Sequence, residues 1–164
     1  MEKTKILFVC QGNIIRSPLA EHLFSQLAVE AGLGDKYQVD SAGTISYHTG
    51  ESPDARMRQV AARHGLVYDG QARQVRIADF DRFDWIIPAD SSNLRDLKRL
   101  ARGPEDEAKL HTMRSFDPQG SSTDSVPDPY YGGIDGFEVT YQIVRRSCQG
   151  LLDALESGKL ELPE

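Results

Sequence analysis

The chain has 164 residues, 39% of them hydrophobic and 27% charged, so its length and composition predict one globular domain over residues 1–164. The net charge of −6 argues against non-specific binding to nucleic acid, and the two cysteines are too few for a disulfide scaffold or a cysteine-rich zinc module. No apolar run is long enough to cross a bilayer and the N-terminus carries no signal-peptide pattern, so we expect a cytoplasmic protein without a membrane partner.

The first predicted elements are a buried strand and an amphipathic helix. Residues 5–10 contain a short continuous apolar run, Ile6–Cys10, which is typical of a strand buried on both faces of a parallel sheet. Helical chemistry follows over residues 17–31, where Ser17 can act as the N-cap and Pro18 fits the first helical position.

Strands and helices continue to alternate along the rest of the chain. We predict strands at residues 37–41, 84–89 and 109–113, and helices at 91–100, at 137–155 and after residues 52–54, where Ala55, Val60 and Ala61 face inward and Gly65 ends the helix. This alternation predicts a doubly wound three-layer α/β/α fold with a central four-stranded parallel sheet. Ligands of such folds bind beyond the carboxyl ends of the strands, which directs attention to the loop after residue 10.

That loop has the features of an anion-binding site. It joins a buried strand to a helix N-terminus, where unpaired backbone N–H groups and the helix dipole favour negative charge. Gly12 permits a tight backbone curve, and Asn13 tolerates left-handed geometry. Arg16 can add a bidentate fork suited to a phosphate group.

Cys10 lies at the start of this loop and therefore feels the same field. We expect the amides and Arg16 to favour the charged form of its sulfur over the neutral thiol. Ser17 can donate a hydrogen bond to that sulfur. A thiolate beneath a bound phosphate is an in-line nucleophile, whereas the alternative is a cysteine that only fills the core.

The loop, read from Val9 to Pro18 as Val-Cys-Gln-Gly-Asn-Ile-Ile-Arg-Ser-Pro, resembles the Cys-x5-Arg-Ser signature (the phosphate-binding loop) of the low-molecular-weight protein-tyrosine phosphatases. The similarity continues through residues 40–44, 63–65, 90–94 and 128–131 in the family's order. A signature at the extreme N-terminus separates this family from other Cys-x5-Arg phosphatases.

The resemblance implies a role for each site residue. Cys10 is the nucleophile, and Arg16 with the loop amides binds phosphate. Ser41 and His64, with Asn13, belong to a hydrogen-bond network that supports the loop. The residues implied to bind substrate are Gln11, Gly12, Asn13, Ile14, Ile15, Ser17, Tyr47, Tyr130 and Tyr131. His22, His48 and His111 have no spacing that suggests a role.

Two loop positions bear on chemistry and specificity. The family usually has a second cysteine where this chain has Ile15, so we expect no protective disulfide inside the loop. Ile14 occupies the position at which the family's arginine-phosphatase branch tends to carry threonine, which favours phosphotyrosine over phosphoarginine.

The reaction also needs a general acid, and two Asp-Pro pairs are candidates. Asp128 is followed by Pro129 and two tyrosines that can line an aromatic pocket, whereas Asp117 precedes Pro118 without tyrosines. The residues alone leave both open, and the resemblance implies Asp128.

The sequence therefore predicts a protein-tyrosine phosphatase that works through a phosphocysteine, with Asp128 as general acid and then base. It predicts no metal or organic cofactor, phosphotyrosine-containing proteins as partners, and inorganic phosphate as product and inhibitor. We expect a monomer with weak self-association. The alternatives are a thiol-linked arsenate reductase, a phosphate-binding module without turnover, and a phosphoarginine hydrolase. Cys148, on the apolar stripe of the last helix, is expected in the core.

Overall fold

The sheet has three parallel strands in the order β2-β1-β3, as seen in a computed structural model that describes residues 2–160. The strands are β1 Thr4–Cys10, β2 Tyr37–Gly43 and β3 Trp85–Pro88. Val9 of β1 is in register with Ala42 of β2 and with Pro88, the last residue of β3. All three strands therefore end at the same edge of the sheet, and the loop after Cys10 lies at that edge.

The predicted fourth strand at residues 109–113 is wrong. Leu110 forms only an isolated bridge with Ile86, in which Ile86 donates to Lys109 and His111 donates to Ile86. The chain then leaves the sheet edge, because residues Met113–Ser115 turn into a short 3₁₀ helix. Only two of the five residues from 109 to 113 are apolar, so the segment has little reason to extend the sheet.

The α-helices of the described chain are α1 Arg16–Glu30, α2 Ala55–Arg63, α3 Asp79–Arg82, α4 Ser91–Leu100, α5 Pro104–Glu107 and α6 Ile134–Glu156. A second 3₁₀ turn, Gly34–Lys36, precedes β2. The prediction for α4 is confirmed, and α6 extends beyond the predicted bounds at both ends. No helix within residues 2–160 combines the length and the apolar composition needed to cross a bilayer.

The N-termini of α1 and α2 differ in how closely they match the prediction. The helix α2 follows residues 52–54 as predicted, and the side chain of Asp54 caps it by accepting from the backbone N–H of Arg56 at 2.8 Å. Ala55, however, is exposed rather than inside. The assignment of Ser17 as the N-cap of α1 is wrong. The helix begins one residue earlier, at Arg16, and the hydroxyl of Ser17 is bound within the loop instead.

Two hydrophobic clusters lie on opposite faces of β1, because successive side chains of a strand alternate between faces. Ile6, Phe8 and Cys10 belong to the larger cluster, together with apolar residues of α1, α2 and α6. Leu7 and Val9 belong to the smaller one, with residues of α3, β3 and α4. Burial on both faces explains the continuous apolar run of β1, and Cys10 at its end is packed into the larger cluster.

Candidate active site

The loop between β1 and α1 is held in its curved shape by Asn13. Asn13 is the only non-glycine residue of the described chain with a positive φ, at 57°. Its side chain donates to Ser17 Oγ at 2.8 Å and to Ser41 Oγ at 3.0 Å, and it accepts from the backbone N–H of Arg73 at 3.0 Å. These three bonds compensate for the unfavourable left-handed conformation and make the loop a preformed cradle.

The end of β2 approaches the loop so closely that only glycine fits there. A Cβ on Gly43 would lie 2.6 Å from the carbonyl oxygen of Gln11. The residues after Gly43 then hold the loop from outside, since Thr44 donates to the carbonyl of Cys10 and Ile45 to that of Gln11. The roles of Gly43 and Arg73 were not found from the sequence, because each depends on contacts between distant segments.

The sulfur of Cys10 receives hydrogen bonds from its own loop. The backbone N–H of Asn13 donates to Sγ at 3.3 Å, and Ser17 Oγ lies 3.0 Å from it. Ser17 already accepts from Asn13, so its own proton has two acceptors, the sulfur and the more distant carbonyl of Ala42 at 3.4 Å. The shorter distance favours donation to the sulfur, which stabilises negative charge there.

Arg16 is 3% exposed and is held by partners from two segments, Asp90 after β3 and residues 126–128. Its Nη1 donates to Asp90 Oδ2 at 2.7 Å and to the carbonyl of Val126 at 2.9 Å, and its Nη2 lies 3.6 Å from Asp128 Oδ2. Burial alone would lower the pKa of Arg16, but the charges of Cys10, Asp90 and Asp128 outweigh it and raise that pKa above its ordinary value. The guanidinium therefore stays charged beside the sulfur.

A cavity of about 250 Å³ opens above the loop. Of the residues predicted to act on or bind substrate, the cavity lining includes Cys10, Gln11, Gly12, Ile14, Ile15, Arg16, Tyr47, Asp128, Tyr130 and Tyr131. Asn13 and Ser17 do not line the cavity; their side chains hydrogen-bond to each other, and Asn13 also to Ser41, and so fix the shape of the loop. The structure thus brings the predicted nucleophile Cys10, the cation of Arg16 and the candidate acid Asp128 into one cavity.

His48 also lines the cavity, although its spacing in the sequence suggested no role. Its ring packs edge-on against Tyr47, with centroids 4.8 Å apart, and its Nδ1 lies 2.9 Å from Glu51. A Cβ on Gly12 would lie 2.9 Å from the His48 ring, so this ring rests directly on the loop. Tyr47, 81% exposed, continues this wall outward.

The two candidate acids have opposite environments. Asp128 lines the cavity with its side chain 42% exposed, and it accepts from the backbone N–H of Tyr130 at 3.1 Å. Asp117 is buried, outside the cavity lining, and paired with Arg146 and Arg114 at 3.0 Å each. Burial alone would raise the pKa of Asp117, but hydrogen bonds from Arg146 outweigh it and lower that pKa. Asp117 is therefore poorly suited to release a proton to substrate.

The placement of His64 in the loop-supporting network needs correction. His64 is an exposed residue at the end of α2, with its Nε2 2.8 Å from Glu138 of α6. Its ring stacks on Tyr141 at a centroid distance of 4.2 Å. These contacts join two helices, whereas Ser41 does contact the loop through Asn13.

Glu21 of α1 extends the loop network away from the cavity. Ser41 Oγ donates to Glu21 Oε1 at 2.6 Å while accepting from Asn13. Burial, together with the nearby charge of Asp40, raises the pKa of Glu21 to about 7, and the hydrogen bond from Ser41 and the charge of Arg73 only partly oppose this. Sequence reasoning missed Glu21, which has no motif of its own.

A family model described as low molecular weight phosphotyrosine protein phosphatase matches residues 5–160. A low molecular weight protein-tyrosine-phosphatase of Streptomyces coelicolor is 45% identical over 152 residues, 92% of this chain and 93% of the relative. A crystal structure of a protein tyrosine phosphatase from Entamoeba histolytica, with Hepes in the active site, has a TM-score of 0.92 at 40% identity and covers 96% of this chain and 100% of that one. A Drosophila arginine phosphatase has a TM-score of 0.85 at 34% identity, over 93% of this chain and 98% of its own.

Glu21→Gln should remove the pH dependence that this carboxyl gives to folding. Between its ordinary pKa of 4.5 and about 7, the folded protein keeps a proton that the unfolded chain has lost. Stability from this group is therefore present at low pH and lost as the pH rises through 7. At about 1.4 kcal/mol per pKa unit, and with allowance for partial exposure, the variant should gain on the order of 2 kcal/mol at pH 8.

The measurement is urea unfolding of wild type and variant from pH 5 to pH 8. Glu30→Gln, at an exposed position near the end of the same helix, is the matched control and should leave the pH dependence unchanged. A constant difference between Glu21→Gln and wild type across this range would contradict the assignment.

Proposed function

The chain belongs to the low molecular weight phosphotyrosine protein phosphatase family, and we propose that it hydrolyses phosphotyrosine in proteins through a phosphocysteine on Cys10. The resemblance stated from the sequence is confirmed, and with it the class of phosphoric monoester hydrolase. The observation that carries the proposal is the position of the Cys10 sulfur, hydrogen-bonded by its own loop beside the buried cation of Arg16.

Phosphoryl transfer to the enzyme is the first step. The ionised sulfur of Cys10 attacks phosphorus, a P–S bond forms and the bond from phosphorus to the tyrosyl oxygen breaks. The loop amides and Arg16 bind the equatorial oxygens, on which charge is spread in the transition state. Asp128 gives its proton to the leaving phenolate, so tyrosine departs neutral.

Hydrolysis of the phosphocysteine is the second step. Asp128, now ionised, takes a proton from a water molecule, and the water oxygen attacks phosphorus. The P–S bond breaks, the sulfur recovers its negative charge and inorganic phosphate leaves. Because the product is the anion for which the loop is shaped, free phosphate should also act as an inhibitor.

The alternatives receive less support from the cavity. An arsenate reductase of this kind needs further redox cysteines, but Cys148 is buried in α6 and burial raises the pKa of its thiol far above the ordinary value. Ile14, which lines the cavity, gives an apolar contact for an aromatic ring and stands where threonine is expected for phosphoarginine. A module that binds without turnover would not need a carboxylate in the cavity.

Several broader predictions belong to the same proposal. The two clusters on opposite faces of β1 support a three-layer arrangement within one domain, although residues 161–164 and Met1 lie outside the described residues. We propose cytoplasmic location and a monomer that self-associates weakly. The 97% exposure of Tyr131 at the cavity rim supports such an association.

Cys10→Ser tests the nucleophile. Wild-type protein should release phenolate from phenyl phosphate in the presence of a metal chelator, because the loop and Arg16 supply the positive field. The variant should release none while still binding inorganic phosphate in calorimetry, since the loop amides and Arg16 remain. Turnover by Cys10→Ser, or wild-type turnover that disappears with the chelator, would contradict the mechanism.

Asp128→Ala and Asp117→Ala decide between the two candidate acids. Asp128→Ala should lower turnover of phenyl phosphate by about two to four orders of magnitude, the usual contribution of a general acid. Asp117→Ala should reduce stability in thermal unfolding, because it leaves Arg146 without its carboxylate, and should change turnover of the folded protein far less. The reverse pattern would overturn the assignment.

A further inference from the structure

The segment that leads into Asp128 is held by side chains from three different parts of the chain. Three successive backbone carbonyls each accept one side-chain hydrogen bond. The pairs are Arg114 Nη1 to Ser125 at 3.0 Å, Arg16 Nη1 to Val126 at 2.9 Å, and Thr140 Oγ1 to Pro127 at 3.2 Å. No two of the donors lie on the same helix: they come from the 3₁₀ helix Met113–Ser115, from α1 and from α6.

Two prolines limit the backbone hydrogen bonds that this segment can donate. Pro127 and Pro129 lack an N–H group, so neither can donate a backbone hydrogen bond. The N–H of Val126 is used on the carbonyl of Ala89 at 2.9 Å, next to the end of β3. The segment therefore depends on outside donors to fix its direction, and its direction decides where Asp128 points.

Arg114, which donates to the carbonyl of Ser125, is largely buried, unlike a typical surface arginine. Its side chain is 14% exposed, and its Nε lies 3.0 Å from Asp117 Oδ2 as an ion pair without hydrogen-bond alignment. A Cβ on Gly120 would lie 2.6 Å from that Nε, so the guanidinium packs directly against this glycine. Asp117, itself bonded to Arg146 of α6, thereby anchors Arg114 to the helix that carries Thr140.

Thr140 is fully buried in α6. A threonine inside a helix commonly turns its hydroxyl back to a carbonyl of its own helix. Here the hydroxyl donates to Pro127 instead, the residue directly before Asp128. The bond therefore connects the longest helix of the described chain to the immediate neighbour of the candidate acid.

We infer that Thr140 and Arg114 are positioning residues for the reaction, which hold the segment before Asp128 so that its carboxyl reaches the leaving oxygen. The inference rests on the proposed function, since it presumes that Asp128 is the acid. It assigns to Thr140 and Arg114 an effect on proton donation, distinct from phosphate binding. Arg16 differs from both, because it lines the cavity itself.

The test compares two substrates whose leaving groups need the acid to different degrees. Phenolate is a poor leaving group and needs a proton, whereas 2,4-dinitrophenolate departs without one. Thr140→Val, which keeps the shape and removes the donor, should lower kcat/KM for phenyl phosphate roughly tenfold, about the effect of one hydrogen bond, and leave the dinitrophenyl ester nearly unchanged. Arg114→Met should act in the same direction.

The ratio of the two kcat/KM values does not depend on how much of a variant is folded, so loss of stability cannot imitate the result. Thr140→Ser should restore the ratio, because serine keeps the donor. Thr112→Val is the matched control. The Thr112 hydroxyl donates to the carbonyl of Ser122 at 3.0 Å, in the same long loop but away from Asp128, so this variant should keep the wild-type ratio.

Asp128→Asn separates the positioning role of Thr140 and Arg114 from the acid role of Asp128. In that background Thr140→Val should have no additional effect, since there is no proton left to position. If Asp128→Asn alters the ratio but Thr140→Val and Arg114→Met do not, or if Thr140→Val acts equally with and without Asp128, the positioning role is wrong and the acid assignment stands. If Asp128→Asn itself leaves the ratio unchanged, the acid assignment fails, and the positioning role with it.

Discussion

The site depends on one buried cation. Arg16 cannot remain charged at 3% exposure without partners, because an unpaired buried charge is strongly destabilising. Its partners are Asp90 after β3, the carbonyl of Val126 and the carboxylate of Asp128. Since Asp90 and residues 126–128 lie far apart in sequence, pairing the guanidinium brings the loop after β1, the end of β3 and the segment around Asp128 together.

The loop itself is organised by a second set of polar contacts that meet at Asn13. Its left-handed backbone aims an N–H group at the sulfur, and its side chain joins Ser17, Ser41 and the backbone of Arg73. All of these groups except Arg73 are buried, so the network has low solvent competition and holds a single shape. The hydrogen bond that reaches the sulfur and the bonds that fix the shape of the loop thus belong to one network.

Much of this site was predictable because its chemistry is contiguous in sequence. Residues 10–17 contain the nucleophile, the cradle and the cation, and a strand followed by a helix requires them to share one edge of the sheet. The residues alone left Asp117 and Asp128 both open as the acid, because both precede proline. The structure separates their environments through a long-range contact, since Asp117 pairs with Arg146 of α6 whereas Asp128 lines the cavity. The contacts of Glu21 and Thr140 join segments far apart in sequence, so they give no local signal. The prediction of a fourth strand was wrong for a related reason. Leu110 forms a single bridge with Ile86, and a hydrophobicity pattern does not distinguish one bridge from a strand.

If phosphate passes through the sulfur of Cys10, a phosphocysteine forms during each turnover and can be trapped. Enzyme mixed with an aryl phosphate and quenched within its first turnovers should carry one phosphoryl group, which mass spectrometry locates on the peptide containing Cys10. Its formation should match a burst of released phenolate, and its decay should match the steady-state rate. Turnover with no phosphorylated peptide, or with phosphate on any other residue, would show that Cys10 is not the nucleophile.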